Sequence, residues 1–247
     1  MPFGRIALSI LLAAASPRPA DQPTLQFDHV WIMVSPNAPE RAALERAGFQ
    51  IASQINHHEG QGTSSITVEF QNAFLELMWP DASVSVAPGL ERAAEKFHEQ
   101  MLWRTSGWSP IGIGLHHTDQ TNDSLPFPTW STSAPWMPVG SEIEMLTARD
   151  DTKSPSLFIV PRLIENPEEQ AKRGALYHHP IGAQRITAIH LVSPKTYQPT
   201  PALAYLQKQG TISLDQGADW VVELTLDGGK KGQSKDLRPD LPLIFRY

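Results

Sequence analysis

The fold is decided by residues 27–79, which read FDHVWIMVSPNAPERAALERAGFQIASQINHHEGQGTSSITVEFQNAFLELMW. Residues 27–34 are rich in β-branched and aromatic side chains, which is typical of a strand. Residues 38–47 follow a helical period, and Gly48 comes where a glycine commonly ends a helix. Further strands are predicted at residues 49–55, 64–70 and 73–79. The predicted order is therefore strand, helix, strand, strand, strand.

Two polar residues interrupt these apolar strands, His29 in the first strand and Glu76 in the last. Side chains alternate across a strand, so His29 shares a face with Trp31, and Glu76 shares one with Phe74 and Met78. An ionised carboxylate on an apolar face is costly unless it is paired or bound to a metal. This face is solvated, or Glu76 meets an arginine or a backbone N–H group, or both side chains point into one pocket that holds a divalent ion or a substrate.

Three short motifs follow one another in this stretch: Asp28-His29-Val30, the loop His58-x-Gly60-x-Gly62-Thr63, and Leu75-Glu76-Leu77. Together with the βαβββ order they resemble the glyoxalase-like domains of the vicinal oxygen chelate superfamily. A second patch, HPIGA at residues 179–183, is similar to a segment of the same branch. The resemblance implies an α+β fold in which repeated βαβββ modules form a cupped mixed sheet.

The resemblance also implies a set of site residues. In metal-using members the ligands come from the first and fourth strands of a module, positions that match His29 and Glu76. With His58 they would form a divalent-metal site of two histidines and one carboxylate, which leaves positions open for substrate. Glu76 is also the predicted catalytic proton carrier. Substrate contacts are predicted for His58, Gly60, Gly62, Thr63 and Trp31.

Other histidines are alternative third ligands. Six of the nine histidines form doublets, at residues 57–58, 116–117 and 178–179. In a strand, a doublet puts one ring on each face, so one ring of each pair can face a pocket. His116 and His117 are therefore candidates beside His58. His190 is a further candidate, because it occupies the place in its predicted strand that His29 occupies in the first. The loop at Gly60 and Gly62 can also grip an anionic substrate through its backbone N–H groups.

The rest of the chain divides into three regions around the first module, which is assigned to residues 21–82. Residues 1–20 have the features of a secretory signal peptide, with an apolar segment too short to span a membrane. Residues 83–165 are predicted as a helix plus a degraded second module, and residues 166–247 as a third βαβββ-like module packed in the same domain. The mature protein is expected to be periplasmic or secreted, with no stable membrane span.

Composition excludes several classes of function. The chain has no cysteine, which excludes disulfides, thiolate catalysis and cysteine-type zinc sites. Its formal net charge is −6 and no basic stripe stands out, which argues against nucleic-acid binding. We therefore expect a small-molecule partner, and the sequence does not specify the oligomeric state.

Two functions remain. The first is a divalent-metal-dependent lyase, isomerase or dioxygenase that acts on a small oxygen-rich substrate. The second is a metal-free protein of the same fold that binds a small molecule in a cup lined by aromatic rings. His29 and Glu76 favour the first. The lack of a carboxylate in the middle of residues 156–161 and 241–247 favours the second.

Overall fold

The computed structural model describes residues 23–118, 124–161 and 167–247. These residues form an eight-stranded mixed sheet and a five-stranded sheet, with short helices between the strands. The signal peptide predicted over residues 1–20 lies outside the described residues. No helix in the described ranges has the length and apolar character needed to cross a membrane.

The first half of the eight-stranded sheet is the module that the sequence predicted. It consists of β1 (Leu25–Met33), α1 (Arg41–Ala47), β2 (Asn56–His58), β3 (Thr63–Glu69) and β4 (Phe74–Pro80). The strand predicted at residues 49–55 is wrong, because this segment is irregular and pairs with β3 through the bond from Ala52 N to Thr67 O. The strand that follows the helix, β2, instead begins at Asn56.

The second half of this sheet repeats the same pairing order. After α2 (Glu91–Met101) and α3 (Trp103–Ser106) come β5 (Ile111–His117), β6 (Trp130–Thr132), β7 (Ile143–Met145) and β8 (Ser156–Ile159). The sheet order is β2-β3-β4-β1-β5-β8-β7-β6, with β1 and β5 antiparallel at its centre. The sequence also allows one short helix near residue 122, a position outside the described residues. The α+β class and the cupped mixed sheet of paired modules are confirmed.

The C-terminal region forms the five-stranded sheet. Its elements run strand, helix and strands, as in the module predicted for residues 166–247, but it has one extra strand and pairs its strands in a different order from the first module. It follows α4 (Pro167–Gly174) and contains β9 (Ile186–Pro194), α5 (Pro201–Lys208), β10 (Ser213–Gly217), β11 (Val221–Leu226), β12 (Ser234–Asp236) and β13 (Leu243–Arg246). The sheet order is β10-β9-β11-β13-β12. The link at residues 218–220 crosses the end of β9, so β10 and β11 lie on opposite sides of β9.

Strand alternation gives the eight-stranded sheet two different faces. One face packs against the C-terminal sheet in a continuous core, for which Val30, Leu75 and Ile113 on one side and Val222 and Phe245 on the other are representative. The opposite face, here called the cup face, carries the remaining side chains of β1 and β4 and is partly covered by α2. The core therefore lies behind the cup and holds it in shape.

Two glycines in β5 fit two rings of the cup face. Gly112 lies opposite Trp31 and Gly114 lies opposite His29 in the antiparallel pair of β1 and β5. A Cβ atom would come within 1.9 Å of Trp31 Cε2 at residue 112, and within 2.4 Å of His29 Cε1 at residue 114. A glycine inside a strand either weakens the strand or marks a close approach, and at residues 112 and 114 the structure shows a close approach.

His179 is a buried core histidine. Its Nε2 lies 2.9 Å from the carbonyl oxygen of Glu69, and its Nδ1 accepts a hydrogen bond of 3.1 Å from Gln50 N–H. These bonds use both ring nitrogens of the neutral imidazole. Burial lowers the pKa of His179, and the bond to Glu69 offsets only part of that effect. The patch at residues 179–183 is thus connected to the sheet by a neutral side chain.

The pH dependence of stability follows from His179. Because its pKa is lower in the folded protein, the unfolded chain binds the proton more tightly. This contribution to stability is present above the unfolded pKa of about 6.5 and is lost as the pH falls through the folded value. We expect the free energy of unfolding in urea to decrease from pH 7 to pH 5. His179→Gln should flatten this slope, whereas His98→Gln, an exposed control, should not; equal slopes would contradict the assignment.

Candidate active site

The cup face forms a cleft of about 2260 Å³. Four of the residues predicted for the site line it, namely His29, Trp31, His58 and Glu76. His29, Trp31 and Glu76 are 8%, 4% and 8% exposed, so they lie on the floor of the cleft and are not a solvated surface. The structure therefore supports the interpretation in which both polar strand residues point into one pocket.

Asp28 and two histidines form one end of the site. Asp28 Oδ1 lies 2.6 Å from His29 Nδ1, and Asp28 Oδ2 lies 3.4 Å from His116 Nδ1. The second contact is too poorly directed to satisfy the buried Nδ1 of His116 as a hydrogen bond. Burial alone would raise the pKa of Asp28, but the contacts with His116 and His29 lower it well below its usual range. Asp28 is thus a carboxylate that fixes the orientation of the His29 ring.

Glu76 meets a different histidine. Its Oε1 lies 3.5 Å from His58 Nε2, and His58 Nδ1 lies 2.9 Å from Thr63 Oγ1. The same hydroxyl accepts a 2.9 Å bond from the Gln61 side-chain amide. The Thr63 hydrogen can therefore go to His58 Nδ1, which places the imidazole hydrogen on Nε2, facing Glu76. This arrangement gives a buried carboxylate next to a ring N–H.

Aromatic side chains surround these polar groups. The His29 ring stacks on Phe74 with centroids 4.4 Å apart, and Phe158 approaches it edge-on at 5.3 Å. Trp31 meets Phe97 of α2 at 6.2 Å. A cleft with an apolar floor and a few convergent polar groups is typical of a small-molecule site.

The loop glycines have a role different from the predicted one. Gly60 and Gly62 have positive φ angles of 82° and 72°, and a Cβ atom would lie 2.4 Å from Pro135 at the first and 2.7 Å from Val86 at the second. Gly62 N–H donates to Ser85 O, and neither glycine lines the cleft. The predicted substrate contacts of Gly60 and Gly62 are therefore replaced by loop packing. Thr63 likewise positions His58 and does not line the cleft.

The predicted three-ligand metal set does not converge. In residues 23–118, 124–161 and 167–247, no three histidine, aspartate or glutamate side chains are placed to hold one metal ion. His58 lies beside Glu76, whereas His29 Nδ1 is held by Asp28 and its ring is stacked on Phe74. We therefore derive no reaction step through a metal from this geometry.

Of the alternative third ligands, which all lie in the described part of the chain, only one histidine lines the cleft. His116 lines the cleft, and its doublet partner His117 does not. His190 is wrong as a ligand, because it lies in β9 of the other sheet and bonds Ser213 at 2.9 Å. A strand doublet thus did place one ring on the cup face, as side-chain alternation requires.

Two charged features of the cleft were missed by sequence reasoning. Lys96 of α2 lines the cleft, and Glu69 of β3 forms an ion pair with Arg173 at 2.9 Å. Lys96 had a usable signal in the sequence, because it precedes Phe97, which forms an apolar stripe at helical spacing with Ala94 and Met101. The pair of Glu69 and Arg173 had none, because the two residues are far apart in the sequence.

The paired modules and the cleft on the cup face define the class as the vicinal oxygen chelate architecture. A family model described as a glyoxalase-like domain matches residues 27–206, and the chain belongs to that family. A comparison with curated protein sequences gives no match.

Two solved structures are similar to the chain at low sequence identity. A hypothetical protein from Staphylococcus aureus has a TM-score of 0.49 and 14% identity, over 90% of this chain and 98% of the other. A xylose isomerase-like TIM barrel/4-hydroxyphenylpyruvate dioxygenase fusion protein has a TM-score of 0.43 and 12% identity, over 85% of this chain and 37% of the other.

Proposed function

We propose that the cup binds a small oxygen-rich organic molecule and that Glu76, paired with His58, moves a proton on it. The observation that supports this most directly is the buried Glu76 carboxylate 3.5 Å from His58 Nε2 on the floor of the cleft. A carboxylate in such a place is well suited to accept a proton from a carbon next to a carbonyl group. His58 can donate its Nε2–H to the oxygen on which negative charge develops.

The proposed proton transfer needs only groups that the protein itself supplies. The C–H bond breaks toward Glu76, its electron pair forms the C=C bond of an enolate as the C=O pair moves onto the oxygen, and the enolate takes a proton back from Glu76 at the same carbon. Isomerase and lyase reactions share this first step. Glu76 keeps an exposure of 8%, so the proton it takes up can exchange with solvent before a proton returns to the carbon.

The experiment is hydrogen exchange in D₂O. We expect the protein to exchange the α-hydrogens of small carbonyl compounds, with phenylacetone and 3-benzoylpropionate as probes, and ¹H NMR to report their loss. Binding of these probes without exchange would support the metal-free binding protein. The proposal would be wrong if no compound in a broad panel of small carbonyl compounds either binds or exchanges its α-hydrogens.

A metal-dependent enzyme, with lyase, isomerase or dioxygenase activity, is the second candidate. It is favoured by the bond between Asp28 and His29, because metal-bound histidines commonly donate their other ring nitrogen to a carboxylate. The first proposal predicts well under one divalent ion per purified chain and an exchange rate that a chelator leaves unchanged. One bound ion per chain, with exchange lost on chelation and restored by the ion, would replace it with the second candidate.

Export of the protein by a signal peptide over residues 1–20 also stays a proposal. Its support is the apolar segment at residues 6–15 with one arginine before it.

A further inference from the structure

The cleft contains one cation that the proposed proton transfer does not use. Lys96 lies on α2, the helix that packs against β1 and β4 on the cup face. The next residue along the helix, Phe97, contacts Trp31 of the floor. This contact fixes the part of α2 that carries Lys96, and Lys96 itself lines the wall of the cleft.

The other cationic side chains that line the cleft already have interaction partners. Arg92 donates to Glu95 and Glu99 at 3.3 Å and 3.2 Å, and Arg149 lies 3.8 Å from the centroid of the Trp130 ring. Arg173 pairs with Glu69, and Lys172 is not free either. Among the described cleft residues, Lys96 is the cation for which the structure shows no hydrogen bond, ion pair or ring contact.

The charges around Lys96 do not neutralise it. Asp150, Asp151 and Glu99 attract its ammonium group and Arg92 repels it, but no carboxylate lies within ion-pair distance. Asp151 Oδ1 accepts the backbone N–H groups of residues 153 and 154 instead. Burial lowers the pKa of Lys96, and the attraction of Asp151 offsets part of that effect. A partly buried ammonium without a partner is costly, and a bound anion would remove that cost.

We propose that Lys96 binds the carboxylate of the substrate, so that the cup takes small carboxylic acids with an apolar or aromatic body. This inference rests on the proposed function, because it assigns the substrate class of the same cleft. A carboxylate fits better than a phosphate. Phosphate sites commonly combine several cations or free backbone N–H groups, whereas the N–H groups of Gln61 and Gly62 in the neighbouring loop donate to His58 O and Ser85 O.

The test compares an acid with its neutral amide. The probes are 3-benzoylpropionate and 3-benzoylpropanamide, which differ only in the charged group, and ligand-observed NMR titration gives both dissociation constants. We expect the full-length protein to bind the acid at least tenfold more tightly than the amide. Lys96→Met should remove this preference while the amide affinity changes less than threefold. Lys96→Arg should keep part of the preference.

The control is Lys208→Met on α5, outside the cleft, which should leave both affinities unchanged. Equal affinity of the unaltered protein for acid and amide would overturn the role of Lys96 and leave the proposed function standing. A preference that survives in Lys96→Met would also overturn it. If neither probe binds, this substrate class is wrong, and the exchange assay on neutral carbonyl compounds judges the proposed function separately.

Discussion

Glu76→Gln is expected to lower the rate of α-hydrogen exchange by about 10² to 10⁴-fold, the usual contribution of a general acid or base. The amide has nearly the shape of the carboxylate but cannot accept the proton. Since Glu76 is 8% exposed and its Oε1 lies 3.5 Å from His58 Nε2, the substitution alters the proposed chemistry at its centre with little change in packing.

Stability and binding should respond differently from exchange. Removing a buried charge does not remove a packed side chain, so the free energy of unfolding should stay the same or increase slightly. Affinity for 3-benzoylpropionate should change less than about tenfold, because the substituted group acts on the reacting carbon and not on the carboxylate. Exchange rates and NMR titration on the same samples separate the two effects.

The matched control is Glu142→Gln, which makes the same change at an exposed carboxylate that also lines the cleft. It should retain the exchange rate of the unaltered protein within about threefold. An unchanged rate in Glu76→Gln, or equal losses in both variants, would show that Glu76 is not the proton carrier. His58 would then have to be examined as the base in its own right.

Gly112→Ala is expected to destabilise the protein by about 3 kcal/mol or more, at the upper end for overpacked cores. The new methyl carbon would lie 1.9 Å from Trp31 Cε2, far inside contact distance. The Trp31 indole is 4% exposed and packed against Phe97, so it has little room to move away. Urea unfolding followed by far-UV circular dichroism measures the loss.

Gly114→Ala should also lower the free energy of unfolding, but through a clash with the His29 ring and not with Trp31. Its methyl carbon would lie 2.4 Å from His29 Cε1, so the ring must leave Phe74 or Asp28 to make space. Gly174→Ala is the control, because a Cβ atom there meets nothing within 4 Å. A change of less than about 0.5 kcal/mol in Gly112→Ala would mean that Trp31 does not lie flat against β5.

The first module could be predicted from the sequence because its signals are local. Successive side chains of β1 and β4 point to opposite faces of the sheet, and α1 ends at Gly48, which has a positive φ of 92°. Since side chains alternate along a strand, the sequence alone put His29 and Trp31 on one face of β1, and Glu76 with Phe74 and Met78 on one face of β4. That the two faces line the same cleft was an expectation from the family resemblance. That inference put the right residues in the cleft.

What sequence reasoning could not give was the distances between elements. Alternation determines the face of a side chain and not which neighbours it meets, so His29 was grouped with Glu76 although it bonds its own neighbour Asp28. The pairing order of the C-terminal sheet could not be predicted for a similar reason. A connection of a few residues can either turn beside a strand or cross its end, and residues 218–220 cross the end of β9.

The two faces of the central sheet also bear on how such a protein can change over generations. Alternate positions along β1 and β4 face the core and the cup, so a replacement at the partly exposed cup residue Phe74 leaves the interior between Val222, Phe245 and the sheet untouched. If the cup binds the proposed ligand, specificity can change through single substitutions at partly exposed cup residues without first losing the ability to fold. A library randomised only at the partly exposed cup positions Phe74 and Phe97 should yield mostly well-expressed variants that differ in what they bind.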